Sequence, residues 1–282
     1  MSTEYLQLGA IPPDFQEVLM REFVPYSVAL ARVSKNDPRT FTPLGSGTLV
    51  KRRDRIGILT ARHCLTACSP QVRLGPGGKD SLLLILRDAR SVQLRPEELL
   101  EHRLVTPSSA EYGPDLAFLE IAPSEHLQTI LAVASVWSLD RDPNAISKEF
   151  GSLNSMLASI GVPEERCETN LSENELHRIS YHLTCVHAIQ EGDISEKDGW
   201  DYIDSKCVYS YSNSLPRSFG GFSGGGIWSV EVKKSKSTGK LSVGKAALVG
   251  VSFYETKIEN KVRYMRGHFV RSIYDMAWRN FG

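Results

Sequence analysis

Thr60-Ala61-Arg62-His63-Cys64, Asp115-Leu116-Ala117-Phe118-Leu119 and Gly221-Phe222-Ser223-Gly224-Gly225-Gly226 are the three segments that decide how this chain is read. Each supplies one member of a nucleophilic constellation: His63 a base, Asp115 an acid to orient it, and Ser223 a hydroxyl to activate. A serine hydroxyl is a poor nucleophile at neutral pH, so a base must take its proton as it attacks. Singly, each residue has a plainer explanation. His63 alone reads as a buried histidine bonded to backbone. Asp115, after Gly113-Pro114, reads as a turn carboxylate. Ser223 alone reads as part of a glycine-rich hairpin loop. In the order His, Asp, Ser, each beside a strand-like apolar run, the three together favour the chemical reading.

On these TAxHC, DLAxL and GxSGG elements the chain resembles the chymotrypsin/trypsin-like serine proteases, of the HtrA-like or bacterial trypsin-like type. The resemblance implies an all-β fold: two six-stranded antiparallel barrels with short N-terminal and C-terminal helices. It implies a serine endopeptidase that hydrolyses peptide bonds in protein substrates through an acyl-enzyme and needs no cofactor. The backbone N–H groups of Gly221 and Ser223 would form the oxyanion hole, one such donor being worth roughly 10²–10³ in rate. A substrate pocket would draw on Arg217, Ser252, Phe253, Tyr254, Gly267 and His268, with Ser252 and Tyr254 pairing to an extended peptide. Arg217 has two readings, a pocket-base cation or an exposed loop cation after Leu215-Pro216. No Asp stands where one would select Lys or Arg.

Three departures from the resemblance matter. Gly45 stands where secreted relatives carry the cysteine that bridges to the one after the histidine, so Cys64 is expected to be a small buried apolar residue. Phe222 stands where secreted zymogens carry an Asp that pairs with a newly cut N-terminus. Activation by N-terminal cleavage is therefore not expected; the protein is constitutively formed or switched by loop ordering, with a regulatory protein partner. No PDZ domain is expected after the serine. The alternative is a silent or partner-gated version of the fold that binds a peptide without cutting it. GxSxG also marks the nucleophile elbow of α/β-hydrolases, whose order is Ser, acid, His. Only His268 follows Ser223, and the βα alternation of such a sheet is missing.

Bulk properties agree. A chain of 282 residues can bury roughly 75% of its unfolded surface, as one large all-β domain or two modest ones. Lys+Arg and Asp+Glu both number 33, which removes the usual electrostatic reason to expect nucleic acid or anionic membrane as a partner. Lys233-Lys234-Ser235-Lys236 reads as a solvated hairpin tip. No apolar run approaches the ~18 residues of a membrane span; Ile130 to Trp137 and Ala246 to Phe253 have strand length. The N-terminus lacks a basic stretch followed by an apolar one, so secretion is not indicated. The five cysteines are odd in number and irregularly spaced, which points to the cytoplasm. His63, Cys64 and Cys68 lack the second ligand pair that tetrahedral zinc needs, so no metal is expected.

Along the chain, residues 1–24 read as a helical extension. Asp14 would be its N-cap, with Phe15, Val18, Leu19 and Phe23 on one face, packed on the outside of the body. Residues 25–137 read as the first barrel, with strands at Tyr26–Val33, Gly47–Lys51, Ile56–Thr60, Gln71–Leu74, Leu82–Leu86, Ser91–Leu94 and Leu116–Ile121. Residues 138–155 read as a crossing linker. Residues 156–282 read as the second barrel, with strands at Met156–Ile160, Tyr181–Ala188, Cys207–Tyr211, Gly226–Val232, Ala246–Phe253 and Val262–Val270, then a helix from Ser272 to Phe281. The polar intervals 164–180 and 190–204 read as surface loops.

Overall fold

The computed structural model describes residues 12–35, 41–66, 80–87, 90–102, 113–150, 155–164, 182–186, 193–209 and 216–279. The expected strand at Gln71–Leu74, Cys68, Cys167, Phe281, and nearly all of the 164–180 interval lie outside them.

The first sheet uses β1 (Ser27–Val33), β2 (Phe41–Arg52), β3 (Arg55–Thr60), β4 (Ser81–Ile85), β5 (Ser91–Leu94), β6 (Leu99–His102) and β7 (Ala117–Ile121), with β8 (Trp137–Ser138) added parallel to β2. Their order across the sheet is β5-β4-β1-β2-β3-β7-β6. The second sheet uses β9 (Ser155–Gly161), β10 (His182–Val186), β11 (Ile194–Lys197), β12 (Trp200–Val208), β13 (Gly226–Lys234), β14 (Leu241–Glu255) and β15 (Val262–His268). Their order is β10-β9-β13-β14-β15-β12-β11. The architecture is all-β, two mainly antiparallel sheets, consistent with the expected chymotrypsin-like double barrel. Among the described residues the sheets have eight and seven strands, against the six and six expected.

Alternation explains the strands. In β5 (Ser91-Val92-Gln93-Leu94) every second residue is buried, and along β12 Ile203, Ser205 and Cys207 are buried while the intervening Asp204 and Lys206 are not. Val28, Leu30, Leu49, Ile58, Leu82, Leu84, Ala117 and Leu119 fill the first barrel. Trp228, Val230, Leu248, Val251, Tyr202 and Ile273 belong to the core of the second.

Four expectations need correction. Helix α1 (Pro13–Phe23) begins on Pro13 with Pro12 at the cap, and Asp14 sits in its first turn, where a carboxylate suits the helix dipole. Its apolar face is as expected: Phe15, Leu19 and Phe23 pack into a core cluster shared with residues of both sheets, while Asp14, Gln16, Glu17, Arg21 and Glu22 stay exposed; each burial is worth about 1.5–3 kcal/mol. The run ending at Trp137 is not one strand. Helix α3 (Glu125–Leu131), capped by the Ser124 hydroxyl accepting from Leu127 N–H at 3.2 Å, takes its first part, and β8 only its end. The linker contains helix α4 (Pro143–Phe150). The described part of the 190–204 interval, from residue 193, is not a loop: β11 and β12 form a hairpin there, with Asp198 and Gly199 at φ 52° and 83° in a two-residue turn.

The two barrels meet on an aromatic seam. Trp228 of β13 stacks on Phe23 at 4.9 Å between ring centroids and meets Tyr26 at 5.0 Å and Trp137 edge-on at 5.2 Å. Trp137 Nε1–H donates to the Tyr274 hydroxyl at 2.8 Å, which itself donates to the Leu248 carbonyl at 2.8 Å. Tyr274 ends helix α5 (Val270–Tyr274), which overlaps only the start of the helix expected from Ser272; a 3-10 turn at Met276–Trp278 follows it.

Candidate active site

Strand register brings His63 to Asp115. β3 and β7 run antiparallel with Thr60 opposite Ala117. His63 lies three residues past Thr60, in the single turn α2 (Arg62–Thr66), and Asp115 two residues before Ala117, so both emerge at one end of the sheet. Asp115, only 5% exposed, accepts from His63 N–H through Oδ1 at 3.0 Å and from His63 Nδ1 through Oδ2 at 2.5 Å. That second bond keeps the Nδ1 proton toward Asp115 and leaves Nε2 to face Cys64 Sγ at 3.9 Å. The His63 side chain is 45% exposed. Burial alone would pull its pKa down, but the hydrogen bonds to Asp115 and Cys64 outweigh it, and the pKa is raised to about 10.

Ser223 arrives from the other barrel, on the turn before β13. The fully buried Cys64 Sγ lies 3.4 Å from the Ser223 carbonyl oxygen, so the serine and His63 Nε2 both come within 4 Å of one sulfur atom. Ser46 N–H of β2 donates to the same carbonyl at 2.8 Å. The Ser223 hydroxyl donates to the Phe253 carbonyl at 3.4 Å. Cys64 is buried and free, as expected. A Cβ at Gly45 would stand 2.6 Å from its sulfur and 2.9 Å from the Ser223 oxygen, so glycine is what lets β2 approach this closely.

The turn is shaped by positive φ at Gly221 (84°) and Gly224 (88°), with Phe222 N–H donating to Phe219 O at 2.8 Å and Gly225 N–H to Phe222 O at 2.9 Å. Three of its carbonyls are pinned. Gly220 O accepts from Glu164 N–H at 2.6 Å, Gly221 O from the Ser46 hydroxyl at 2.8 Å, and Phe222 O also from the Ser252 hydroxyl at 3.0 Å. In a planar trans peptide the carbonyl and the following N–H point opposite ways. Fixing Gly220 O and Phe222 O therefore aims the N–H groups of Gly221 and Ser223, and neither donates a hydrogen bond among the described residues.

Behind Asp115 lies His268, wholly buried. Its Nε2 accepts from Asp115 N–H at 2.9 Å, and its ring stacks on Phe253 at 4.6 Å with Tyr202 and Trp200 alongside. Burial drives its pKa down to about 3 against the pull of the Asp115 carboxylate, so the ring is neutral with its proton on Nδ1. The expectation that His268 lines a substrate pocket is overturned by this burial. Gly267 has no room for a side chain, since a Cβ there would meet Ile227 Cδ1 at 2.3 Å. Ser252 is also engaged internally, its N–H on Gly225 O at 3.0 Å and its carbonyl on Gly224 N–H at 2.7 Å, so it does not present a free backbone to a peptide. Phe253 sits at the register shift between Ser252 and Tyr254 and adjoins Ser223 through its carbonyl; Tyr254 is half-buried and Arg217 exposed.

Sequence reasoning did not find Ser46, Glu164 or the role of His268. Ser46 lies in the visible Gly45-Ser46-Gly47 element, but its two bonds, to Gly221 O and from Val162 N–H at 2.9 Å, join segments more than a hundred residues away. Among the described residues no cluster suits a metal ion, and no helix is long and apolar enough to cross a membrane.

No protein-family model matches the chain, and no curated protein matches it. A solved structure does. It is described as the HtrA-type protease AlgW with decapeptide; it is similar with a TM-score of 0.42 and 15% identity over 88% of this chain and 62% of that one. The present chain thus spans less than two thirds of that protein's length.

Proposed function

We propose that the chain is a serine endopeptidase acting on polypeptides in the cytoplasm. Ser223 Oγ attacks the substrate carbonyl while His63 Nε2 takes its proton. Asp115 holds the Nδ1–H and stabilises the imidazolium that forms. The oxyanion accepts from Gly221 and Ser223 N–H. His63 then hands its proton to the departing amine, leaving an acyl-enzyme that water resolves by the same steps. The observation that carries this reading is the convergence of the His63–Asp115 pair and Ser223 on Cys64, beside two aimed and unengaged N–H groups. The two free buried thiols, Cys64 and Cys207, support a reducing compartment.

A second reading is a gated enzyme awaiting a protein partner, or a peptide-binding module. It is favoured by one feature: the Ser223 hydroxyl rests on Phe253 O while His63, with a pKa of about 10, rests protonated at neutral pH. Attack requires the hydroxyl to rotate and the ring to lose its proton. Labelling with a fluorophosphonate probe separates the readings. Labelling of the wild type and not of Ser223→Ala supports the enzyme, and labelling only in cell lysate supports gating. No labelling under any condition overturns the catalytic reading.

A further inference from the structure

The turn that aims Gly221 and Ser223 has a second set of restraints, on its entering limb, that the reaction itself does not use. Glu255, the last residue of β14, accepts from the Ser218 hydroxyl through Oε1 at 3.1 Å and from Phe219 N–H through Oε2 at 2.9 Å. The same Oε2 pairs with Nη1 of Arg263, a residue of β15 that is only 8% exposed. The Arg263 guanidinium in turn stands over the Phe219 ring, 6.0 Å from its centroid. Phe219 is therefore gripped twice, its N–H by the carboxylate and its ring by the cation. Its carbonyl then accepts from Phe222 N–H at 2.8 Å, the bond that closes the turn around Gly221. Its ring meets Phe222 edge-on at 5.5 Å, in an apolar cluster with Cys207 and Met265.

At Phe222 the chain has no carboxylate with which to fasten this turn from within. We propose that the Glu255–Arg263 pair is the fastening: a positioning device that holds Phe219 so that the turn presents the Gly221 and Ser223 N–H groups ready-made, with no newly cut terminus. The proposal rests on the proteolytic reading of Ser223. It assigns Glu255 no contact with substrate; Glu255 acts through Phe219. Bonds to an ionised acceptor are shorter and about twice as strong as neutral ones, and the buried position of Arg263 makes its partner costly to remove.

The test uses the full chain with Glu255→Ala and Glu255→Gln, the second keeping an acceptor for Phe219 N–H while losing the ion pair. Two quantities are read: the second-order rate of fluorophosphonate labelling at Ser223, and amide hydrogen exchange at Phe222 compared with Gly224, whose N–H is tied to Ser252 O instead. Glu255→Ala is expected to slow labelling about 10²-fold, the scale of one lost oxyanion donor. It should speed Phe222 exchange at least tenfold and leave Gly224 exchange unchanged. Glu255→Gln, which keeps the acceptor for Phe219 N–H but not the charge that Arg263 pairs with, should label at a rate between those of the wild type and Glu255→Ala. Unchanged Phe222 exchange in both variants overturns the proposal. So does a rise in Phe222 and Gly224 exchange together with a lowered melting temperature, which would mark Glu255 as merely structural. If Glu255→Ala does not fold, Glu255→Gln decides, with a several-fold rise in Phe222 exchange expected. If the wild type takes no probe, the catalytic reading fails on its own and the exchange measurement still judges the anchor.

Discussion

On one side of Asp115 lies His63, 45% exposed, bonded to the carboxylate and raised to a pKa of about 10; on the other lies His268, fully buried, bonded to the backbone N–H and lowered to about 3. One aspartate thus holds one histidine charged and another neutral. The carboxylate offers negative charge to a ring that can use it. The amide offers only a proton, which requires an unprotonated nitrogen, and the aromatic walls of Phe253, Tyr202 and Trp200 exclude the water a cation would need. Residue type fixes neither state; the atom each ring meets does.

The strongest way to break this contrast is Asp115→Asn. Fluorophosphonate labelling should fall by about 10⁴-fold, the cost of losing the orienting acid in such a triad. The His63 pKa, followed by NMR titration of its ring proton, should drop toward or below 6.5, because burial then acts with much less opposition. A rate within tenfold of wild type would break the reading of Asp115.

His268→Phe sharpens the other side. It keeps a ring but leaves the buried Asp115 N–H without an acceptor, which costs about 1–3 kcal/mol and should appear as a lower urea midpoint. The pH dependence gives the sign. Folded His268 stays neutral down to about pH 3, whereas the unfolded chain takes up the proton near 6.5. Its contribution is therefore full above pH 6.5 and is lost as pH falls toward 3. The variant should show a flatter stability profile between pH 6.5 and 4.5; below that, Glu98 takes over in both proteins, its pKa lowered to about 2 because, against burial, bonds from Arg95 and His126 favour its ionised form. An unchanged acid slope would mean that His268 is not held neutral. His63 works the opposite way: stability from its charged pairing is complete below pH 6.5 and declines as pH rises through 10.

The smallest effect is expected from Cys64→Ala. Labelling requires neutral His63, so its rate should climb with pH toward 10, and removing the sulfur beside Nε2 should move that limb to lower pH by less than Asp115→Asn does. A limb that stays put would show that Cys64 does not tune the histidine.

Much of this was legible in the sequence because it is local. His63 and Asp115 flank paired strands whose apolar runs declare themselves, and Ser223 sits in a turn that only glycines can make. The β11–β12 hairpin was missed because Ile194-Ser195-Glu196-Lys197 is exposed along its whole length, leaving no buried face to alternate with; the Asp198-Gly199 pair was its one available signal. Helices α3 and α4 were hidden in short stretches with too few turns to show a period. His268 reads as a pocket residue from the sequence although β15 buries it, because a strand's facing depends on register with β12 and β14 that composition does not reveal. Glu255, with its grip on Phe219 from 36 residues away, belongs to the same class of long-range contact.

The ring contacts at the seam have a practical consequence. Trp137 is carried by the first sheet and Trp228 by the second, and Phe23 and Tyr26 belong to the stretch that leads from α1 into β1. Any motion that parts the half bearing His63 from the half bearing Ser223 must also pull these indoles apart and wet them. The molecule thus carries its own optical gauge of alignment, readable in its native emission without a dye.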